Sequence, residues 1–381
     1  MADNKDKKVL NVPDLRFPEF SGEWEEHYLA EYLDFKNGLN PSANKFGSGI
    51  KFISVMDILN NDFITYDCIR TSVKITPEEQ VAFAVEKGDV LFQRSSETLE
   101  DVGRANVYMD DQPAVFGGFV IRGKKKAEYN PMFFRYLLAS PYARKKVIPM
   151  GAGAQHFNIG QDGLSKVKLH FPILQEQQRI AALLRLIDER ISVQNKIIDK
   201  LKTLIKGIVE TVISSQKPNT LIKNCLECNS STLQESQVAE AGIFPVYGAT
   251  GISGYTETAD INGESILIIK DGSGVGTVKF VTGEYSYIGT LNSLTVKDGY
   301  CLKYIYFALQ RFSFEPYKTG MAIPHIYFKD YGKAKIYCPS LSLQTLIAQK
   351  LSLIENEMEV EKRIILCYRL QKSYLLSRMF I

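Results

Sequence analysis

The amino-acid sequence predicts an α+β protein in which two β-rich domains are separated by two long α-helices that form an antiparallel coiled coil, with internal pseudo-twofold symmetry. Three observations lead to this prediction: a stretch of the chain that occurs twice, a heptad pattern inside each copy, and short β-type runs outside the copies. At 381 residues the chain is long enough for about two to three domains. Its hydrophobic content of 45% supports a core in each.

The duplicated stretch covers positions 172–213 and 339–380, which align without a gap at one constant shift in residue number. A repeated element that alternates with two other segments indicates internal symmetry, and such symmetry suits a partner that is itself bipartite. Identical residue types at identical offsets are Pro172, Leu174, Gln177, Ile180, Ala181, Leu184 and Ile187 in the first copy and Pro339, Leu341, Gln344, Ile347, Ala348, Leu351 and Ile354 in the second.

Both copies carry apolar residues at alternating steps of four and three, which is the seam of a coiled coil. Pro172 and Pro339 mark the helix starts, because proline is tolerated in a first turn and disfavours helix in the residue before it. At a rise of about 1.5 Å per residue, a helix of roughly 40 residues is a rod on the order of 60 Å long. The expected seam residues are Ile180, Leu184, Ile187, Ile191, Gln194, Ile198, Leu201, Ile347, Leu351, Ile354, Met358, Glu361 and Ile365.

One polar residue interrupts each seam near the middle of its helix, Gln194 in the first and Glu361 in the second. If the helices pack antiparallel, these midpoints meet, and a hydrogen bond between them would define the register at some cost in stability. A parallel pair would also bring them together, so the pattern alone leaves the direction open. We expect the antiparallel arrangement because the intervening domain must bring the chain back. The alternative for the two polar residues is that they are tolerated defects facing solvent.

The segments outside the repeat are expected to fold as mixed β-rich domains. Residues 90–92 and 119–121 in the first, and 265–269 and 278–281 in the second, are rich in β-branched and aromatic residues and are bounded by glycine turns. The predicted division is therefore a domain over residues 1–171, a helix over 172–216, a domain over 217–338 and a helix over 339–381.

The net charge of +3 argues against a simple basic nucleic-acid coat. The excess lies in the two repeats, since residues 171–217 carry eight basic and five acidic side chains and residues 339–381 carry six and four. If the chain binds DNA, positive charge must be concentrated on particular loops, or partner subunits must supply much of the phosphate contact. The polar N-terminus and the lack of a long apolar run predict a soluble, unprocessed, cytoplasmic protein.

Recognisable catalytic motifs are missing. The glycine-rich residues 272–276 are followed by a β-type run rather than a helix, so a hairpin turn is favoured over a nucleotide-binding loop. Six cysteines are too sparse for a disulfide framework, and Cys225 and Cys228 form the only CxxC pair, for which structural thiols are favoured over a zinc site. His27, His156, His170 and His325 form no recognisable catalytic set. The chain is therefore expected to be a binding protein rather than an enzyme.

Three segments resemble a known family: residues 12–20 (VPDLRFPEF) together with Trp24, and the joins at 168–181 and 339–341. They are similar to the specificity (S) subunit of type I restriction-modification systems over nearly the whole chain. The second join departs from the family, because residues 342–346 (SLQTL) stand where a charged Glu-Glu-Gln-type run is common.

The resemblance implies two target-recognition domains that each read one half of a split double-stranded DNA site, held apart by helices that act as a spacer. It also implies two modification (M) subunits that dock on the helices and bring S-adenosylmethionine for adenine methylation. Restriction (R) subunits, with ATP and Mg²⁺, would complete the full complex. No catalytic residue, metal, cofactor or membrane is expected for this chain itself.

Candidate DNA contacts are polar residues near predicted turns. Arg94 and Arg104 are expected to read bases, because arginine can make two parallel hydrogen bonds to guanine. Lysine runs suit phosphates. The full set is Arg94, Ser95, Ser96, Arg104, Asn106, Lys124, Lys125, Lys145, Gln155, His156, Asn158, Lys270, Ser273, Lys279, Asn292, Lys318 and His325.

Two other classes of function remain open at this point. One is a coiled-coil protein-interaction scaffold whose two β-rich modules bind proteins. The other is a self-sufficient DNA methyltransferase or nuclease.

Overall fold

The computed structural model describes residues 10–381; residues 1–9, on which the expectation of a polar, unprocessed N-terminus partly rests, lie outside the described residues. The chain divides into two compact units. Unit 1 comprises the chain up to Gln194 together with Ile364–Ile381, and unit 2 comprises Asn195–Arg363. Both boundaries fall inside a long helix, so each unit contains a β-rich region and half of each helix. The sequence had divided the chain into four consecutive segments instead.

The two long helices form where the heptads predict them. The central helix is Leu174–Val209 and the C-terminal helix is Leu341–Arg378, and each begins two residues after the proline that marks its start. The central helix continues into a π-helical turn over Glu210–Ser214. No helix in the described part of the chain is both long enough and apolar enough to cross a membrane.

Unit 1 is built on a four-stranded antiparallel sheet and a smaller three-stranded sheet. The four strands, in spatial order, are Leu33–Asn37, Val120–Lys125, Val90–Gln93 and Ala105–Val107. The smaller sheet contains Ser72–Val73, Phe46–Ile53 and Val115–Phe116, and two-stranded pairs join Glu25–Tyr28 to Lys168–Phe171 and Ser95–Ser96 to Phe157–Asn158. The short helices are Leu29–Tyr32, Val55–Asn60, Pro77–Ala82, Pro131–Ala139, Pro141–Val147 and Gln161–Ser165.

Unit 2 contains a six-stranded sheet. Its strands, in spatial order, are Leu226–Ser230, Leu291–Val296, Ile261–Ile269, Val278–Tyr287, Phe244–Gly248 and Gly251–Thr256. A two-stranded pair joins Thr220–Leu221 to Lys335–Ile336, and the short helices are Ile222–Cys225, Leu302–Arg311 and Phe328–Tyr331.

The two units share one architecture. In each, a one-turn helix leads into the edge strand of the main sheet. In unit 1 the strand that comes first in the chain pairs with the strand that comes last, and the second and third strands of the chain follow. The first four strands given for the sheet of unit 2 are arranged in the same way. In each, a helix of about three turns follows, and the unit later has a one-turn helix, a short strand and a long helix in this order; unit 1 has the helix Pro141–Val147 in addition. The predicted α+β fold with two β-rich regions is therefore confirmed, and the duplication extends beyond the helices into the β-rich regions.

Within each unit the halves of the two long helices run antiparallel. In unit 1, Ile180 and Leu184 near the start of the central helix share a hydrophobic core with Leu375 and Met379 at the end of the C-terminal helix. In unit 2 the core instead combines the end of the central helix with the start of the C-terminal helix, namely Val209 and Ile213 with Ile347, Ala348 and Leu351. Every predicted seam residue is buried or half-buried.

The two polar seam residues belong to different units, so the hydrogen bond expected between them stays a prediction. Glu361 is buried, but its Oε2 atom has no hydrogen-bond partner in the described chain, and Gln194 is half-buried. Asp188 contacts Lys372, which defines the register of the two antiparallel helix segments within unit 1.

A buried glutamine at the start of each long helix makes the same two hydrogen bonds. Gln177 donates from Nε2 to the carbonyl of Pro172 (3.0 Å) and accepts at Oε1 from the backbone N–H of Asn130 (3.1 Å). Gln344 does the same with Pro339 (2.8 Å) and Cys301 (3.0 Å). Asn130 and Cys301 are the N-cap residues of the helices Pro131–Ala139 and Leu302–Arg311. Each glutamine therefore ties a long helix to the neighbouring helix of its own unit.

Replacing either glutamine with leucine is expected to lower the free energy of unfolding by about 1–3 kcal/mol, because a half-buried backbone N–H and the carbonyl of the proline lose their hydrogen-bond partner. Urea denaturation of Gln177→Leu and Gln344→Leu measures the loss. The matched control is Gln178→Leu, an exposed glutamine on the same helix, which should change stability by less than about 0.5 kcal/mol. Equal effects at positions 177 and 178 would contradict the assignment.

Candidate nucleic-acid interface

An exposed hairpin loop precedes the last short strand of each unit. In the first hairpin loop, residues 152–158, Ala152 and Asn158 exchange two backbone hydrogen bonds of 2.9 and 2.8 Å. In the second hairpin loop, residues 319–325, Thr319 and His325 exchange two bonds of the same lengths. The constant shift in residue number that relates the two helices also relates these positions. The two loops are therefore equivalent parts of the duplicated architecture.

A glycine makes each hairpin loop possible. Gly153 has φ +146° and Gly320 has φ +86°, which are conformations that other residues rarely adopt. A Cβ atom at Gly153 would lie 2.0 Å from the carbonyl oxygen of His156, and one at Gly320 would lie 2.4 Å from that of Ile323. The glycines are thus required by the tight turn.

A cationic residue occupies the same position beside each loop. Arg94 directly follows the strand Val90–Gln93, and its carbonyl accepts a hydrogen bond from the N–H of Ile159 (2.9 Å). Lys270 directly follows the strand Ile261–Ile269, and its carbonyl accepts from the N–H of Ile326 (3.0 Å). Ile159 and Ile326 are again related by the shift of the repeat. The structure therefore makes Arg94 and Lys270, which the sequence predicted separately, a matched pair.

The polar groups around the two cations differ. Arg94 is half-buried, and its Nη1 atom donates to the carbonyl of Gly118 (3.3 Å). The next residue, Ser95, donates from Oγ to Asn158 Oδ1 (2.5 Å) across the two-stranded pair that includes the first hairpin loop. Lys270 instead forms an ion pair with Asp271 (2.7 Å), which stands where unit 1 has Ser95. The two sites thus share a backbone frame and present different donors and acceptors.

The tips of the two hairpin loops also differ in polarity. In the first loop, Gln155 and His156 are exposed. In the second, Met321 is fully exposed and Ile323 is 66% exposed, while His325 is half-buried with its Nδ1 atom 3.2 Å from the carbonyl oxygen of Ile323. The first tip can offer hydrogen bonds, and the second offers mainly apolar contact.

Several other predicted contacts lie at or near the surface. Ser96 pairs with Phe157 in the short two-stranded sheet, and Lys145 and Ser273 are exposed. The ammonium of Lys279 lies 4.5 Å from the ring centroid of Tyr247. Three further cations form ion pairs with nearby carboxylates, and such exposed pairs are weak enough to exchange for a phosphate. They are Arg104 with Asp101 (2.5 Å), Lys124 with Glu86 (3.4 Å) and Lys318 with Glu315 (2.5 Å).

Three predicted contacts are structural instead. Asn106 is 2% exposed, and its Nδ2 atom donates to the carbonyls of Ile58 (3.0 Å) and Asn61 (2.8 Å). Asn292 is buried within a central strand and accepts a hydrogen bond from Ser230. The ammonium of Lys125 donates to the carbonyl of Tyr129 (3.2 Å). These side chains tie elements of their own unit together, so the structure does not support base or phosphate contacts for them.

The predicted hairpin turn at residues 272–276 is confirmed. It connects the antiparallel strands Ile261–Ile269 and Val278–Tyr287, with Gly272 and Gly276 at positive φ. Cys225 is buried, with its Sγ atom 3.8 Å from that of Cys338. No group of three or more potential metal ligands occurs in residues 10–381.

The sequence pattern missed one exposed residue beside the first site. Phe119 was placed in a predicted strand, but the strand begins at Val120 and Phe119 is 68% exposed. The carbonyl of Phe119 accepts a hydrogen bond from the backbone N–H of Arg94 (2.9 Å), so Phe119 is a direct backbone neighbour of the candidate base-reading arginine. The sequence could have indicated the exposure of Phe119 only if it had been known that the strand begins at Val120.

The protein has two β-rich units, and each contains halves of the two long helices. The units present equivalent loops with different side chains. This arrangement defines a modular recognition protein. The family model for the type I restriction modification DNA specificity domain matches residues 21–203 and 223–366, and the chain belongs to this family.

Curated relatives match parts of the chain, and a solved structure shares its fold. The type I restriction enzyme MjaVIII specificity subunit of Methanocaldococcus jannaschii is 23% identical over 208 residues, which cover 52% of this chain and 47% of that subunit. The EcoprrI specificity subunit of Escherichia coli is 26% identical over 109 residues, 29% of this chain and 27% of that subunit. The chain thus matches about half or less of the length of these curated relatives. The crystal structure of the type I restriction-modification S subunit from M. genitalium shares the fold, with a TM-score of 0.66 at 17% identity, covering 97% of this chain and 99% of that one.

Proposed function

We propose that this chain is the DNA sequence-recognition subunit of a type I restriction-modification complex, in which each unit reads one half of a bipartite site. The observation that carries the proposal is the duplicated site: the same loop and cation position occur once in each unit with different side chains. Recognition of two half-sites of different sequence requires the same backbone arrangement in both units with different side chains on it.

The chemistry of the two sites suits base reading. The guanidinium of Arg94 has one long hydrogen bond of 3.3 Å to a backbone carbonyl, so it retains donors for the O6 and N7 atoms of guanine. Lys270 and Asp271 offer a donor and an acceptor side by side, and a carboxylate can accept from the N4 amino group of cytosine. Exposed lysines such as Lys145 would contact phosphates without reading sequence.

Replacing Arg94 with glutamine is expected to relax recognition in one half of the site, and replacing Lys270 with glutamine should relax the other. Each change should reduce discrimination by about 1–3 kcal/mol, or roughly 5- to 150-fold. Methylation mapping of cells that carry each variant measures the effect. Arg190→Gln, an exposed arginine on the central helix, is the matched control and should leave the recognised site unchanged.

The mapping also separates the proposal from its alternative. If cells with and without this chain have the same methylated sites, and the chain with its modification subunits shows no shift of genomic DNA fragments at a stated salt concentration, a protein-interaction scaffold becomes the better assignment.

The proposal assigns binding to this chain and catalysis to its partners. Modification subunits would bring S-adenosylmethionine, and restriction subunits, where present, would add ATP and Mg²⁺. Incubating the isolated chain with DNA and a labelled methyl donor tests this division, and labelled DNA would contradict it.

An exposed apolar stripe supports two modification subunits as partners. Leu186 and Val193 of the central helix, in unit 1, are 59% and 51% exposed. Leu353 and Val360 of the C-terminal helix, in unit 2, are 62% and 49% exposed, and they are the same two positions in the second copy of the repeat. Apolar residues seven apart form a stripe along one helix face, as in coiled-coil contacts. The stripe occurs once in each unit, which suits one partner helix per unit.

The double variant Leu186→Glu with Val193→Glu is expected to release one modification subunit, and Leu353→Glu with Val360→Glu the other. Each double variant removes the burial of two apolar side chains, which contributes about 3–6 kcal/mol to the binding free energy. The affinity for that modification subunit should therefore fall by at least about 100-fold. Native mass spectrometry of the assembled complex counts the subunits. Asn195→Glu, which adds one charge to an exposed polar position of the same helix, is the control. Two bound subunits in both double variants would exclude the stripe as the docking face.

A further inference from the structure

A cavity of about 390 Å³ lies within unit 1, apart from the hairpin loop. Its size falls in the range of small-ligand sites, which is roughly 300–1,000 Å³. Four of its lining residues are cationic, and Glu100 is the acidic residue among those that line it. The cationic residues are Arg104, Arg135, Arg144 and Lys372. Such an excess of positive charge indicates an anionic ligand.

Two of the four cations form ion pairs within hydrogen-bond distance of a carboxylate. Arg104 pairs with Asp101 at 2.5 Å and is 55% exposed. Lys372 pairs with Asp188, a buried carboxylate that also accepts a hydrogen bond from the hydroxyl of Tyr136 (2.8 Å). The other two cations of the lining are Arg135 and Arg144.

Arg144 has an unused donor in an enclosed position. Its Nη2 atom donates to the carbonyls of Glu100 (2.8 Å) and Val102 (2.6 Å). Its Nη1 atom is buried and has no hydrogen-bond partner among the residues the structure describes. Burial, with a smaller contribution from the nearby charge of Arg104, holds the pKa of Arg144 below its usual range. A buried donor without an acceptor is unfavourable until a ligand supplies one.

Arg135 forms two longer ion pairs and no hydrogen bond to a carboxylate in the described chain. Its side chain is 13% exposed, and its nearest carboxylate oxygens belong to Asp62 at 3.6 Å and Asp188 at 3.8 Å, both longer than a hydrogen bond. The guanidinium lies 5.1 Å from the ring centroid of Tyr136. Two planar guanidinium groups with free donors in one cavity match the several oxygens of a phosphate, which arginine binds through parallel hydrogen bonds.

We propose that this cavity binds a phosphate group through Arg135 and Arg144, with Arg104 as a further cation at the site. The phosphate could belong to the DNA backbone or to a free phosphate or nucleotide, since both present the same oxygens. The inference does not require the proposed function, because the binding of free phosphate can be measured without DNA.

The first measurement is calorimetric titration of the full chain with inorganic phosphate at constant ionic strength. Saturable binding is expected for the unaltered chain and for the control Arg190→Gln, with at least tenfold weaker binding for Arg144→Gln and Arg135→Gln. Arg135→Gln keeps the test decisive if Arg144→Gln fails to fold, because Arg135 donates no hydrogen bond that holds the fold together in the described chain.

The second measurement identifies the source of the phosphate. DNA binding by the complex with its modification subunits is followed as a function of salt for the unaltered chain, Arg135→Gln and Arg190→Gln. If the cavity holds a backbone phosphate, Arg135→Gln lowers the slope of log affinity against log salt by about one. If it holds a free ligand, the slope is unchanged while phosphate binding is lost.

The proposal is overturned if Arg135→Gln changes neither phosphate binding nor the salt slope. Failure of the proposed function would look different, because the complex would then not bind DNA at all and the calorimetric result would still stand.

Discussion

Replacing Glu176 with leucine is expected to lower the free energy of unfolding of unit 1 by about 3–5 kcal/mol, because it leaves the charge of Arg16 without its partner. The side chain of Glu176 is 1% exposed, and its two oxygens accept from Nε of Arg16 (2.8 Å) and Nη2 of Arg16 (2.7 Å). Glu176 also accepts from Nε1 of Trp24 (3.3 Å). The Glu176 carboxylate, at the start of the central helix, therefore holds the N-terminal segment of the described chain against that helix through Arg16 and Trp24.

The hydrogen bond to Glu176 also raises the pKa of Arg16, so the guanidinium keeps its charge and removing its partner leaves that charge uncompensated. A buried pair loses most when one member is removed, whereas replacing both with apolar residues is often neutral. The double variant Arg16→Met with Glu176→Leu should therefore recover most of the lost stability. A double variant as unstable as Glu176→Leu would show that the unpaired charge is not the cause.

Trp24 provides the readout, because it is the one tryptophan of the chain and it contacts the altered residue. Its fluorescence during urea denaturation reports on unit 1. Gln178→Leu, at an exposed position of the same helix in unit 1, is the control and should change stability by less than about 0.5 kcal/mol.

Exchanging residues 14–171 for the corresponding segment of another specificity subunit is expected to replace one half of the recognised DNA site and leave the other half unchanged. The reason is that unit 1 and unit 2 have separate hydrophobic cores and separate hairpin loops. Methylation mapping of the hybrid measures the outcome. The matched exchange of residues 218–338 should replace the opposite half, and a hybrid that alters both halves would contradict independent reading by the two units.

The structure adds a condition to this exchange. Trp24 and Phe133 lie in the exchanged segment, and their rings are 6.3 and 5.6 Å from that of Phe380, which stays behind at the end of the C-terminal helix. Leu375 and Met379 belong to the same core. A donor segment must therefore keep large aromatic side chains at the two contacts, or the hybrid will lose stability before its specificity can be measured.

The helices were predictable because their signals are local. Heptad spacing determines which face of a helix is apolar, and the prolines before each helix determine where it begins, so both helices were found without a partner being known. The turn at Gly272 and Gly276 was predictable for the same reason, since the residues that follow it have a strand pattern.

Other features needed the tertiary structure. Arg94 and Lys270 are equivalent only through their hydrogen bonds to Ile159 and Ile326, which lie far from them in the chain. Asn106 could be recognised as a structural residue only when the carbonyls of Ile58 and Asn61 were seen around it. A polar residue near a turn has the same appearance in the sequence whether it faces DNA or a buried carbonyl.

The sequence by itself determined the duplication, the two long helices, their apolar seams and the resemblance to specificity subunits, because residue spacing along the chain is enough to define each of them. The tertiary structure alone decided the helix register, which polar side chains are buried, and the meeting of Arg135 and Arg144 in one cavity. These depend on residues that are distant in sequence and become neighbours only when each unit folds around its core.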